Sequence, residues 1–130
     1  MSERALQVLM VVDELSARPL YEHAIANALC AKVHFAQKTD SVLARLNGEN
    51  PPDLLIVDPE LPDLSCEQIL ARIKCDYRLR YTPVLILIST DQAHQHLRLL
   101  DQGADDFVDK SAPTEVLIAR LKTQWRHKLS

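Results

Sequence analysis

At 130 residues the chain is long enough for one domain with a buried core. Apolar residues make up 47% of it, which excludes a disordered chain, and the formal net charge of −3 argues against a dedicated nucleic-acid binder, which is ordinarily basic. Cys30, Cys66 and Cys75 form neither an even set nor a CxxC pair, so no disulfide framework or zinc site is expected. The apolar stretch near the N-terminus is too short to span a membrane. It runs into Asp13 where a secretory signal needs a small-residue cleavage site, and a cytoplasmic protein with reduced thiols is expected.

An apolar run followed by an amphipathic stretch recurs about five times along the chain. Leu6 to Val12 is nearly continuous and valine-rich, the pattern of a strand buried on both faces. Pro19 to Leu29 carries Leu20, Ala24, Ile25, Ala28 and Leu29 at helical spacing. Lys32 to Phe35 reads as a short second strand, and Val42, Leu43 and Leu46 as a helix that stops at Asn47-Gly48. Pro51-Pro52 opens a third strand, Leu54 to Val57. Ser65 to Lys74 reads as the third helix, with Ser65 and Gln68 as a capping box and Cys66, Ile69, Leu70 and Ile73 as its buried stripe. Val84 to Ile88 is the fourth strand. Asp91 caps an expected fourth helix that runs to Gly103, Phe107-Val108 is a fifth strand, and Thr114 to about Leu129 a fifth helix.

Strands alternating with helices imply right-handed βαβ units, hence a (βα)5 doubly wound parallel sheet of the α/β class. The expected strand order is 2-1-3-4-5, and ligands of such sheets bind at the carboxyl ends of the strands. Those ends carry Asp13-Glu14, Asp58, Ser89-Thr90 and Asp109-Lys110. Strands one and three lie side by side in this order, so Asp13 and Asp58 become neighbours. Two close carboxylates repel unless a cation intervenes. Mg²⁺ suits the place, since it accepts one or two carboxylates, several waters and a phosphate oxygen. A carboxylate beside Mg²⁺ and a lysine is equipped to attack phosphorus and become an acyl phosphate. Each acid alone reads as a turn or cap residue; the signal is their joint placement.

With these residues in hand, the whole chain resembles the response-regulator receiver family and its CheY-like fold. Val11-Val12-Asp13-Glu14 is similar to the family's first-strand acidic pair, Leu55 to Pro62 to its phosphorylation loop, and Gly103 to Lys110 to its fifth-strand segment. The resemblance implies that Asp58 accepts a phosphoryl group from a sensor histidine kinase or phosphotransfer protein. It implies that Asp13, Glu14, Asp58 and the backbone carbonyl of Glu60 hold Mg²⁺, that Lys110 contacts the phosphoryl oxygens, and that Phe107 is the switch aromatic. The signal would leave through the surface of helix four, strand five and helix five. It would pass to an output domain or downstream protein, or to a homodimer, for which Leu97, Leu100 and Val116 are candidate surface residues. No direct nucleic-acid contact and no enzymatic activity beyond self-catalysed phosphoryl transfer and dephosphorylation are implied.

Three departures bear on this reading. The family's hydroxyl at the end of strand four falls, counting without gaps, on Ile88, and Ser89 comes one residue later. Adjacent strand residues face opposite ways, so either a bulge returns Ser89 to the site or the site lacks its hydroxyl; the gap-free spacing favours the second. Ser111 replaces the proline after the lysine, which removes the expectation of a cis bond. Cys66 replaces a glycine at the start of helix three. The alternative reading is therefore a degenerate pseudo-receiver, a docking or dimerisation module independent of phosphorylation. A phosphatase or flavodoxin-like carrier is disfavoured by the absence of a D-x-D order and of any glycine-rich phosphate loop, the chain having only Gly48 and Gly103. His94 and His96, two residues apart, do not share a helix face and read as solvated. The basic end of the last helix complements its dipole. The domain is expected to cover 1–130, either standing alone or as the N-terminal part of a longer regulator.

Overall fold

The computed structural model describes residues 5–13 and 18–129. Five strands, β1 (Leu6–Val11), β2 (Ala31–Ala36), β3 (Leu54–Val57), β4 (Val84–Ile88) and β5 (Asp106–Asp109), form one sheet in the order β2-β1-β3-β4-β5. Every pairing is parallel. The connecting helices are α1 (Arg18–Leu29), α2 (Thr39–Asn47), α3 (Cys66–Cys75), α4 in two short pieces (Ala93–His96 and Arg98–Asp101) and α5 (Thr114–Leu129). This is the flavodoxin/CheY-like architecture that the alternation of apolar runs and amphipathic stretches predicts.

Strand periodicity divides the core in two. Leu9, Val11, Leu55, Val57, Ile86 and Ile88 point to one face and pack against Val42 and Leu46 of α2, Ile69, Leu70 and Ile73 of α3, and Leu99 of α4. Val8, Met10, Leu54, Ile56, Leu85, Leu87 and Val108 point to the other and meet Ile25 of α1 and Leu117 and Leu121 of α5. Both faces of β3 and β4 are buried, which is why these strands read as unbroken apolar runs.

The expected fourth helix from Asp91 to Gly103 is corrected. The chain makes a 3-10 turn at Thr90–Gln92, and the two pieces of α4 meet at Leu97. Asp91 lies inside that turn rather than capping a helix. The segment has one fully buried anchor, Leu99, whereas Leu97 is 43% exposed. Short helices take most of their stability from an apolar face, and one anchor does not sustain three continuous turns. The segment ends at Gly103, whose φ of 121° favours glycine; a Cβ there would also lie 2.5 Å from Lys74 Cε, which the flexible lysine chain would have to yield to.

The capping box of α3 is half formed. Ser65 Oγ accepts from the Gln68 N–H at 3.2 Å, but the Ser65 N–H donates to Thr39 Oγ1 at 2.9 Å instead of to Gln68. The start of α3 is thereby tied to the start of α2. Cys66, next in line, is buried in the core, and burial pushes its thiol up to about 12. Cys30 and Cys75 are exposed. An aromatic disulfide reagent at mildly alkaline pH is therefore expected to titrate Cys30 and Cys75 in the folded chain, and Cys66 only after denaturant is added. Equal rates at all three would contradict this packing.

Candidate functional site

The site is assembled at the carboxyl ends of β1, β3 and β5. The Asp58 N–H donates to the Val11 carbonyl at 2.9 Å, which extends the β1–β3 pairing by one residue and brings Asp58 beside Val12 and Asp13. Asp58 is 8% exposed, and only Thr82 joins it as a buried polar residue among those described. Its Oδ1 accepts from the Glu60 N–H at 2.9 Å, an Asx turn that folds the following loop back over the carboxylate. Its Oδ2 lies 2.8 Å from Lys110 Nζ. The Lys110 backbone is held by an N–H bond of 2.8 Å to the Ile88 carbonyl, so β4 fixes where the ammonium starts from.

Lys110 Nζ is also 3.1 Å from Glu60 Oε1. Burial disfavours this ammonium, but Asp58 and Glu60 outweigh it and its pKa is raised above 10.5. Burial likewise acts to raise the Glu60 carboxyl, but Lys110 and Ser89 prevail and hold it below its ordinary value. A pocket of ≈ 70 Å³ beside Asp58 is lined by Val12, Asp13, Tyr21, Asp58, Leu87 and Lys110.

The donor set suits a hard cation. Asp13 and Asp58 share the pocket, and Lys110 cannot balance Asp13, Asp58 and Glu60 together. Mg²⁺ accepts one or two carboxylates and keeps water in its remaining positions. No cluster of three or more His, Cys, Asp or Glu side chains able to hold a metal occurs among the described residues. Glu14, the other acid named from the sequence, lies outside them.

At the end of β4 the pairing with β5 runs through Ile88–Asp109 without a bulge. Ile88 is 2% exposed and packs in the core on the α3 side. Ser89 therefore lies one residue beyond the strand. Its N–H and its hydroxyl both donate to Glu60 Oε1, each at 3.2 Å, and it bonds neither Asp58 nor Lys110. Ser111, in the place of the expected proline, donates from N–H and Oγ to Asp109 Oδ1 at 2.8 and 2.6 Å. Thr90 Oγ1 donates to the other oxygen of Asp109, so the loops after β4 and β5 are joined through that carboxylate. No cis peptide occurs among the described residues.

Phe107 on β5 is 41% exposed, and Leu97 and Val116 are exposed as well. Leu100 is only partly buried: it packs against the core beside Leu99 and offers less surface than Leu97. His94 is exposed and belongs to no metal-binding group.

Sequence reasoning missed the Glu60 side chain, having named only its carbonyl. It also missed Tyr21 on the pocket wall and the Thr90–Asp109–Ser111 link. The one sequence hint for Glu60 was that an aspartate often caps the N–H of residue i+2, which places the Glu60 backbone but not its carboxylate.

A parallel sheet wound in this order, with acids and a lysine converging at its carboxyl edge, defines a receiver-type fold. A family profile for the response regulator receiver domain matches residues 8–122, and the chain belongs to that family. It is the receiver domain of a two-component response regulator. It is similar to the phosphate regulon transcriptional regulatory protein PhoB of Escherichia coli, with 31% identity over 122 residues covering 94% of this chain and 52% of that protein. It is also similar to the transcriptional regulatory protein TrcR of Mycobacterium tuberculosis, with 32% identity over 90% of this chain and 44% of that protein. The chain thus spans about half the length of these curated relatives. Among solved structures, the chemotaxis response regulator CheY4 of Vibrio cholerae superposes with a TM-score of 0.80 at 21% identity, covering 93% of this chain and 99% of that one. The phosphorylated cyanobacterial phytochrome response regulator RcpA gives 0.74 at 25% identity, covering 98% and 96%. No described helix is long and apolar enough to cross a membrane.

Proposed function

We propose that Asp58 is the phosphoryl acceptor of a cytoplasmic two-component relay. The observation that carries the reading is the Asp58 Oδ2–Lys110 Nζ contact of 2.8 Å beside a pocket that Asp13 also lines. In this reading a carboxylate oxygen of Asp58 attacks phosphorus on a phosphohistidine of a sensor kinase or phosphotransfer protein. The P–N bond breaks, its electron pair returns to the imidazole nitrogen, and an acyl phosphate forms. Lys110 pairs with the phosphoryl oxygens as negative charge shifts toward the site. Asp13 and Asp58, with the Glu60 carbonyl and Glu14, would hold Mg²⁺, which supplies charge neutralisation when bound. The domain is a signalling acceptor rather than an enzyme acting on a separate substrate. Its output passes through α4, β5 and α5, where Leu97, Phe107 and Val116 are exposed, to an output domain, a downstream protein or a second copy.

The test is uptake from acetyl phosphate followed by intact mass. A gain of one phosphoryl group is expected in the parent with Mg²⁺, with strong suppression by a chelator and none in Asp58→Asn. No gain in a folded parent would overturn the reading.

One observation favours the second reading, a docking module whose surface ignores phosphorylation: Ile88, not a hydroxyl, ends β4. A phosphorylated parent that binds its partner no differently from Asp58→Asn would support it.

A further inference from the structure

Resting on the acceptor reading above, we propose that the Glu60 carboxylate is the positioning residue that couples Asp58 to the loop after β4. It holds Ser89 while Asp58 is bare and releases it once Asp58 carries a phosphoryl group. One oxygen, Glu60 Oε1, gathers three donors: Lys110 Nζ at 3.1 Å, and the Ser89 N–H and hydroxyl at 3.2 Å each. Lys110 is in turn shared with Asp58 Oδ2 at 2.8 Å. A continuous chain of charge-assisted contacts therefore runs from Asp58 through Lys110 and Glu60 to Ser89. Ser89 is the first residue beyond β4, and its carbonyl accepts from the Gln92 N–H at 2.9 Å to close the 3-10 turn that leads into α4. A displacement of Ser89 is a displacement of that turn.

The direction of the effect follows from charge. A phosphoryl group brings about 1.5 to 2 negative charges and three acceptor oxygens where Asp58 had a single charge. Lys110 has one ammonium to share and is drawn to the stronger acceptor. Glu60 then loses its cation and faces a like charge. Its backbone stays in place, because the Glu60 N–H is bonded to Asp58, so the side chain is what turns away. A hydroxyl at the end of β4 would pull the loop inward onto the phosphoryl group. Ile88 cannot do so, and release by Glu60 supplies the link that the strand itself lacks.

The experiment follows the Ser89 amide by its NMR resonance and hydrogen exchange in the parent, Glu60→Ala and Glu60→Gln. Each is measured before and after acetyl phosphate with Mg²⁺, and intact mass reports phosphoryl uptake in the same samples. Before phosphorylation, Glu60→Ala is expected to exchange the Ser89 amide about tenfold faster than the parent, the worth of one hydrogen bond to a charged acceptor. Glu60→Gln is expected to stay close to the parent, since its amide oxygen can accept the same bond. After phosphorylation the parent is expected to move to the resonance and rate of Glu60→Ala, whereas Glu60→Gln, with no charge to repel, stays where it was. A phosphorylated parent with an unchanged Ser89 amide overturns the proposal while leaving the acceptor reading intact. So does a Glu60→Gln variant that shifts as the parent does. A parent that gains no mass fails the acceptor reading, and equal exchange in unphosphorylated parent and Glu60→Ala overturns the holding role independently of it.

Discussion

Replacing Lys110 with alanine is expected to slow phosphoryl uptake at Asp58 by about 10²- to 10³-fold, the usual consequence of removing one preorganised donor from developing negative charge. The geometry explains the size of the effect. Lys110 Nζ is 2.8 Å from Asp58 and 3.1 Å from Glu60, and its backbone is pinned to β4, so the ammonium is in place before the donor arrives. Measuring the uptake rate from acetyl phosphate by intact mass, with circular dichroism to confirm the fold, checks this; an unchanged rate would remove Lys110 from the chemistry. The same substitution has a pH signature in stability. The Lys110 pKa is raised in the folded chain, so its contribution is complete below the ordinary ammonium value of 10.5 and is lost as pH rises through the raised one. The Glu60 pKa is lowered, so its share is present above the ordinary 4.5 and is lost as pH falls through the lowered one. Parent and Lys110→Ala should therefore differ most between those limits and converge outside them.

Ile56→Ala is expected to cost about 2–5 kcal/mol, toward the upper end because the central strand cannot close over the cavity. Ile56 is fully buried on β3, in register with Met10 of β1 and Leu85 of β4. A domain of this size has a total stability of about 5–15 kcal/mol, so the loss is a large part of it. Ile56 also shares its side of the sheet with Asp58, two residues on, and the cavity would open directly beneath the acceptor. Urea unfolding measures the cost, and Ile56→Val, expected at about 0.5–1.5 kcal/mol, grades it. A loss under about 1 kcal/mol for alanine would mean that β3 is not the packed centre of the sheet.

The fold was legible because each central strand is buried on both faces. Leu54 to Val57 and Val84 to Ile88 are short apolar runs bounded by turn residues, the pattern of strands between two helical layers, and both spans agree with the structure to the residue. Boundaries shifted where apolar side chains do not set them: β5 extends beyond Phe107-Val108 to include Asp106 and Asp109, whose ladder bonds leave no hydrophobic trace. The break in α4 escaped for a related reason. Helical spacing of Leu97 and Leu100 says nothing about whether a partner surface waits for them, and only Leu99 found full burial.

At the site, Asp13, Asp58 and Lys110 were legible from strand ends and strand order alone. For Ser89 the gap-free spacing leaned toward the observed bulge-free ladder, but its bonds to Glu60 were not legible, since they depend on where a distant loop folds. The Glu60 carboxylate was hidden in a different way. A glutamate in a surface loop is ordinarily solvated, and only the Asx turn at Asp58 together with Lys110, the first residue after β5, gives it two reasons to point inward.

The central claim is that Asp58, and no other carboxylate at the sheet edge, takes the phosphoryl group. Borohydride reduction of the phosphorylated chain followed by peptide mapping tests it most directly, since the hydride attacks the acyl phosphate and marks the residue that carried it. The account predicts the reduced residue at Asp58 alone. Reduction at Asp13, at Asp109, or spread over several acids would contradict it.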